Sequence, residues 1–251
     1  MKAWFSAEDK EVLREHFLQF AEFLGFTHQN NVANAPMLYV KSWLAEHPGW
    51  LLAFDNVDQY EDIKDFLPTH GGHIIITTRK RQWPSKFQVL PIDVMTEKES
   101  IQTIQSIIGS PIKKEKALIS LVTTLGCLPL AMVQAAAYIK QNQISIQKYL
   151  KLYQQQEMEL LSSKAFPEGV KAHPVSITWN ISLEAILKEC KKNQEEPLAI
   201  ELITVCSYLS PDKIDKKILE SWIRQSYPEI SNPHIICGRH IGYLWNYSLI
   251  N

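Results

Sequence analysis

Short apolar runs alternate with helically spaced ones up to about residue 92, and only helical spacing follows. Ala3-Trp4-Phe5, Trp50 to Phe54, Ile74 to Thr78 and Phe87 to Ile92 are compact apolar or β-branched segments that predict strands. Between them, Val12, Leu13, Phe17, Phe20, Phe23 and Leu24 recur at the spacing of one helix face, ending at Gly25. Ser6-Ala7-Glu8-Asp9 offers the helix a cap and early acids. Residues 27–35 are polar and Asn-rich and predict a loop, a second helix covers about Pro36 to Glu46, and a short one covers Tyr60 to Phe66. Strands alternating with helices predict βαβ units and a mostly parallel sheet. Trp50-Leu51-Leu52-Ala53-Phe54 is apolar throughout, which predicts a central strand covered on both faces.

From Thr96 the pattern changes. Thr96-Glu97-Lys98-Glu99 is a capping box opening a helix to about Ile108. Ile112 to Leu125 and Leu128 to Gln141 follow, divided by Gly126 and Pro129, and Ser145 caps a helix to about Gln155. The polar stretch 155–172 reads as a linker. Beyond it, Ile177 to Glu189, Pro197 to Leu209, Lys213 to Gln225 and Gly238 to Tyr247 predict four more helices.

Composition narrows the function classes. With 251 residues, 45% hydrophobic and 21% charged, the chain has the make-up of an ordinary globular protein with a sizeable core. A net charge of −1 supplies no global field for nucleic acid or an anionic membrane. Cys127, Cys190, Cys206 and Cys237 lie far apart, which argues against a disulfide framework and for a reducing, cytoplasmic setting. Ala117 to Ile139 is uncharged for 23 residues, but Gly126, Pro129, Thr123, Thr124 and Gln134 interrupt it, so it predicts two buried helices and no membrane span.

Candidate chemistry gathers where the apolar runs end. Asp55 emerges from the Trp50 run, at the carboxyl end of a parallel strand, where ligands sit in open α/β sheets. A carboxylate there suits a Mg²⁺-bound water beside a nucleotide phosphate. The second run ends in Thr77-Thr78-Arg79, whose guanidinium could reach a terminal phosphate.

The order of these motifs resembles a known family. Leu-Leu-Ala-Phe-Asp-Asn-Val-Asp, residues 51–58, looks like a Walker B strand, and Ile-Ile-Ile-Thr-Thr-Arg, 74–79, like a sensor strand. Gly126-Cys127-Leu128-Pro129-Leu130-Ala131 is similar to the Gly-Leu-Pro-Leu motif of NB-ARC domains, the nucleotide-switch modules of STAND-class P-loop NTPases. Val175 to Asn180 and Tyr208-Leu209-Ser210-Pro211-Asp212 resemble the winged-helix region that follows in that family. The resemblance implies an α/β fold: an incomplete parallel P-loop NTPase sheet over 1–92, a helical subdomain over 96–155, and a truncated winged-helix-like tail over 173–251. It also implies that Asp55 is the Mg²⁺-side acid and Arg79 the γ-phosphate sensor. Pro129, with Gly126 and Leu130, would border the adenine of ADP or ATP.

Three departures qualify what is implied. Asn56 stands where many members carry a second acid and cannot take a proton, so a general-base role passes to Asp58 only if the turn places it. No Gly-x-x-x-x-Gly-Lys-Ser/Thr occurs in these residues, so nucleotide affinity is expected to be poor. The strand preceding that loop in the family lies between the strand ending at Thr77-Thr78 and the one at 87–91; without it, two unpaired edges are expected. The sequence therefore reads as a fragment of an ADP/ATP switch for signalling, with slow ATPase chemistry left open. A non-catalytic scaffold that has lost nucleotide binding is the alternative. Expected partners are adenine nucleotide, other protein domains or a second copy.

Other patterns carry less. The tail has no basic stripe, since Lys191-Lys192, Lys213 and Lys216-Lys217 are offset by Glu195, Glu196, Asp212 and Asp215, which disfavours nucleic acid. His234, Cys237 and His240 offer three ligands where zinc needs four. Trp4, Trp43, Trp50, Trp179, Trp222 and Trp245 are assigned to the core. Trp83, in a polar loop beside Arg79-Lys80-Arg81, is the exception and is expected to face a partner surface.

Overall fold

The structure, a computed structural model, describes residues 1–27, 34–109, 116–162, 172–193, 196–209 and 214–250. Most of the Asn-rich segment, the first residues of the Ile112 helix, the second half of the expected linker and Ser210-Pro211-Asp212 lie outside them. The chain is α/β and mostly helical, and it divides into two compact units, Met1–Ile92 and Asp93–Asn251.

The first unit is built on a three-stranded parallel sheet of β1 (Lys2–Ser6), β2 (Trp50–Asp55) and β3 (Gly72–Ile76), in that spatial order. Each crossover is helical: α1 (Lys10–Phe23) and α2 (Ala35–Glu46) join β1 to β2, and α3 (Tyr60–Ile63) lies between β2 and β3. The helix α1 begins later than its sequence suggests. Ser6 is still strand, and Ala7 donates its N–H to the Asp55 carbonyl at 2.8 Å, so the ladder holds this backbone extended. Asp9 is the cap instead, accepting from the N–H groups of Glu11 and Val12.

In register, Ala3, Phe5, Leu52, Phe54, Ile74 and Ile76 share one face, over which Leu13, Phe17, Ala21, Val40 and Leu44 pack. Phe5, Phe17, Phe54 and Phe66 meet as a ring cluster with centroids 4.6 to 6.0 Å apart. The expectation of a sheet buried on both faces is corrected. β2 alternates buried and half-buried positions, and across the opposite face Trp4, Ala53 and Ile75 stand in one row, with Trp4 48% and Ile75 52% exposed. Val12 and Phe23 also face solvent, because only the Leu13–Phe17–Ala21 stripe of α1 meets the sheet.

The expected strand at Phe87 to Ile92 is absent. The segment finds no strand to pair with, Leu90 and Ile92 are exposed, and β3 is left as the outer strand. Strand propensity without a ladder partner does not make a strand. Trp83 is half-buried against Tyr60 and Phe87.

The second unit contains α4 (Glu97–Ile108), α5 (Lys116–Thr124), α6 (Pro129–Asn142), α7 (Ile146–Ser162), α8 (Pro174–Lys192), α9 (Leu198–Cys206), α10 (Lys216–Ser226) and α11 (Pro233–Asn246). Thr96 and Glu99 form the expected capping box. One core gathers Ile104, Leu118, Leu121, Met132, Ala135, Tyr149 and Ile177, and a smaller one gathers Leu202, Leu219, Ile223 and Cys237.

Several boundaries move. α7 runs on to Ser162, through the first part of the expected linker, because Gln, Glu, Met and Leu continue a helix and polarity alone does not end one. α11 starts at Pro233, five residues ahead of Gly238, since proline at the first helical position needs no N–H partner. Helices α8 to α11 are the described elements of the tail, with no strand among the described residues. Trp245 is 65% exposed and so, like Trp4, outside the core.

Candidate functional site

In the first unit the candidate site is the carboxyl edge of the sheet. Phe54 anchors β2 in the core, so Asp55 is delivered as the strand leaves it and is half-buried. Its carboxylate accepts a hydrogen bond from the Thr77 hydroxyl, one residue beyond β3. The same hydroxyl accepts the Asn56 N–H at 2.9 Å, and Val57 donates to the Thr77 carbonyl at 3.0 Å. Asn56 is left-handed (φ 59), a conformation that Asn tolerates better than most residues, and this turn buries Val57 and sends Asp58 outward. Ser6 stands opposite Asp55 in the β1 register, so all three strand ends converge.

Asp58 and Arg79 sit at the margin. The Asp58 carboxylate lies 3.3 Å from the Lys80 ammonium, both well exposed, so this acid is engaged with a neighbour. Arg79 is exposed.

Beside the edge a pocket of ≈ 740 Å³ opens between the loops following β2 and β3, lined by Asp58 to Glu61 and Lys80 to Pro84. Tyr60, Trp83 and Phe87 pack edge-on, and Lys86 places its ammonium 4.7 Å from the Tyr60 ring centre while donating to the Tyr60 hydroxyl at 2.7 Å. Neither Asp55 nor Arg79 lines this pocket.

A separate candidate segment lies within the helical unit. Gly126 (φ 62) and Cys127 (φ 54) are both left-handed, ending α5 and turning the chain into α6. Cys127 donates to the Val122 carbonyl at 3.2 Å and accepts from the Met95 N–H at 3.0 Å, which fixes the turn from both sides. Pro129 opens α6, and Pro129 and Leu130 are exposed there. The break between α5 and α6 also divides the uncharged run, and no helix among the described residues is long and apolar enough to cross a membrane. Of the metal-like trio, His234 pairs with Glu220 at 2.7 Å while Cys237 and His240 are buried.

Thus the structure joins Asp55 to Thr77 and Asp58 to Lys80, and it places Gly126, Pro129 and Leu130 on one turn. Sequence reasoning missed Thr77 as the orienting hydroxyl and the pocket around Trp83. The Thr-Thr-Arg triplet and the basic cluster beside Trp83 were the available signals.

An acid and a hydroxyl at converging parallel strand ends define an α/β unit compatible with a P-loop NTPase-like fold. No protein-family model matches the chain. It is 30% identical, over a 215-residue alignment, to a nucleotide-binding leucine-rich repeat (NLR)-like protein of Hyaloscypha variabilis, a match taking in 71% of this chain and 21% of that protein. The chain therefore spans about a fifth of the length of the curated relative it matches.

Proposed function

We propose that this chain is part of a nucleotide-responsive signalling module of the NB-ARC type. The observation that carries the reading is the Asp55 carboxylate, held by the Thr77 hydroxyl at the carboxyl end of the central strand. The likeness to an NLR-like protein described as nucleotide-binding supports it. In this reading Asp55 orients a water on Mg²⁺, Arg79 reads a terminal phosphate, and Pro129 and Leu130 offer apolar surface to adenine. A bound Mg²⁺ would supply charge neutralisation at the phosphates. The residues present fit the metal side of such a ligand. They do not supply its phosphate cradle, because no Gly-x-x-x-x-Gly-Lys-Ser/Thr occurs among them. That same observation favours a second reading, an interaction module that works without nucleotide.

Melting curves with excess ADP·Mg or ATP·Mg separate the two. A ligand that binds only the folded state raises the midpoint, by the equivalent of about 2.7 kcal/mol at a hundredfold excess over Kd. The switch reading expects a rise in the wild type that Asp55→Ala reduces. No shift at millimolar nucleotide would favour the interaction module for this chain.

A further inference from the structure

The pocket beside the sheet edge has two walls and two ties between them. One wall is Asp58 to Glu61, at the exit from β2 and the start of α3, and the other is Lys80 to Pro84, after β3. The Asp58 carboxylate meets the Lys80 ammonium at 3.3 Å, and the Tyr60 ring packs edge-on against Trp83 with centroids 6.4 Å apart. Lys86, which does not line the pocket, holds Tyr60 by its hydroxyl at 2.7 Å. Walls and ties all lie within the first unit, so they do not depend on what pairs with the outer edge of β3. Four lining residues take no part in these ties. Gln59, Glu61, Arg81 and Gln82 are exposed, and none of their side chains has a hydrogen bond or ion pair with another described residue. The Trp83 indole N–H is buried and finds no acceptor among the described residues. Each wall thus offers one unspent charge, of opposite sign, and one carboxamide, beside an aromatic ring.

We propose that this pocket binds a short peptide segment of a partner protein, one that carries a basic and an acidic side chain on either side of an apolar residue. Glu61 takes the cation and Arg81 the anion, since both are unengaged whereas Asp58 and Lys80 already neutralise each other. The Gln59 and Gln82 carboxamides each supply donors and an acceptor, which is what peptide C=O and N–H groups need. Tyr60, Trp83 and Pro84 give the apolar residue a surface, and the ties between the walls hold that surface ready. A peptide carbonyl beside Trp83 would also give the orphaned indole N–H the acceptor it lacks. A volume of ≈ 740 Å³ is that of a pocket for a drug-sized ligand, which a few residues of chain match. Charge argues against a polyanion. Nucleic acid would bring phosphates against Asp58 and Glu61, and these acids balance Lys80 and Arg81, leaving no net charge to attract it. The proposal stands apart from the nucleotide reading, because neither Asp55 nor Arg79 lines the pocket.

The test uses the full chain and capped, fluorescein-labelled peptides, with binding read by anisotropy. Each peptide has Lys, a central Leu and Glu, separated by one, two or three serines so that the spacing of the charges is varied. Controls carry two Lys or two Glu. A mixed-charge peptide is expected to bind with a Kd of about 10 µM to 1 mM, and the single-sign peptides about threefold to tenfold more weakly. Glu61→Arg is expected to shift the preference to the two-Glu peptide, and Arg81→Glu to the two-Lys peptide. Combining the two substitutions is expected to bring back the preference for mixed charge. Both residues are exposed, so circular dichroism of the variants is expected to match the wild type. Location is read separately. The Trp83 indole N–H resonance, identified by its loss in Trp83→Phe, is expected to shift as peptide is added. No binding of any mixed-charge peptide at millimolar concentration, equal binding of every charge pattern, a preference unmoved by reversing Glu61 and Arg81, or a Trp83 resonance that stays still would overturn the proposal. None of these readouts depends on nucleotide, so a melting curve unmoved by ADP·Mg leaves it standing.

Discussion

The Thr77 hydroxyl donates to the Asp55 carboxylate, tying the end of β2 to the residue that follows β3. One side-chain oxygen thereby sets the direction of the acid and, through the Asn56 N–H, the shape of the turn after it. Whatever the edge of this sheet binds, Thr77 prepares it.

Thr77→Val keeps the shape of the side chain and removes both bonds. Hydrogen bonds to charged groups contribute about 1.5 to 3 kcal/mol, and the half-exposed setting of Asp55 places the expected loss near the lower bound. Urea unfolding should show a lower midpoint with an unchanged slope. A midpoint equal to the wild type would mean that water replaces the hydroxyl at no cost.

Gly72→Ala should be among the most damaging small substitutions. A Cβ there would lie 2.3 Å from the Trp50 carbonyl oxygen and equally close to its indole, and backbone cannot yield as a flexible side chain does. The Trp50 indole is itself pinned by its bond to the Leu44 carbonyl at 2.9 Å. Overpacking of this kind costs about 1 to 3 kcal/mol or more. Thermal melts would reveal it, and an unchanged melting temperature would show that the β2–β3 spacing relaxes.

Between α6 and α8, Thr178 has one hydroxyl proton for two acceptors, Gln134 Oε1 at 2.5 Å and the Val175 carbonyl at 2.9 Å. Gln134 is fully buried, and its amide nitrogen has no partner among the described residues. An incompletely satisfied buried amide costs more than it returns. Gln134→Leu is therefore expected to be neutral or stabilising by up to about 1 kcal/mol, whereas Thr178→Val, which leaves the buried amide with still less, should destabilise by about 1 to 3 kcal/mol. The opposite ordering in denaturant titrations would count against this account.

Acid should loosen the helical unit partly through Glu99. The Thr96 backbone N–H, and then its hydroxyl, hold the Glu99 carboxyl below its ordinary value of 4.5. A depressed folded value means the contribution is present above the unfolded pKa and is lost as pH falls through the folded one. Glu220, held down chiefly by its bond to His234, acts in the same direction. Stability should therefore fall with pH below about 4.5, and Glu99→Ala should make that fall shallower without abolishing it. An identical pH profile in the variant would remove Glu99 from the explanation.

The hydrophobic pattern by itself determined the alternation of strands and helices up to Ile76, the all-helical character of the described residues from Thr96 on and the capping box at Thr96. Those features are local, set by spacing, caps and breakers within a few residues. It also marked Asp55, Thr77 to Arg79 and the Gly126 to Leu130 turn by their positions at element ends. What it could not decide was which faces and edges find partners. Residues 87–92 have strand composition but no ladder, and Trp4 and Ile75 have core composition but look outward. Phe54 and Ala53 are equally apolar in sequence, yet one is sealed and the other is not. Burial and hydrogen-bond pairing depend on chain segments far apart in sequence, so the orientation of Asp55 by Thr77 and the outward row of Trp4 and Ile75 were decided only by the tertiary structure.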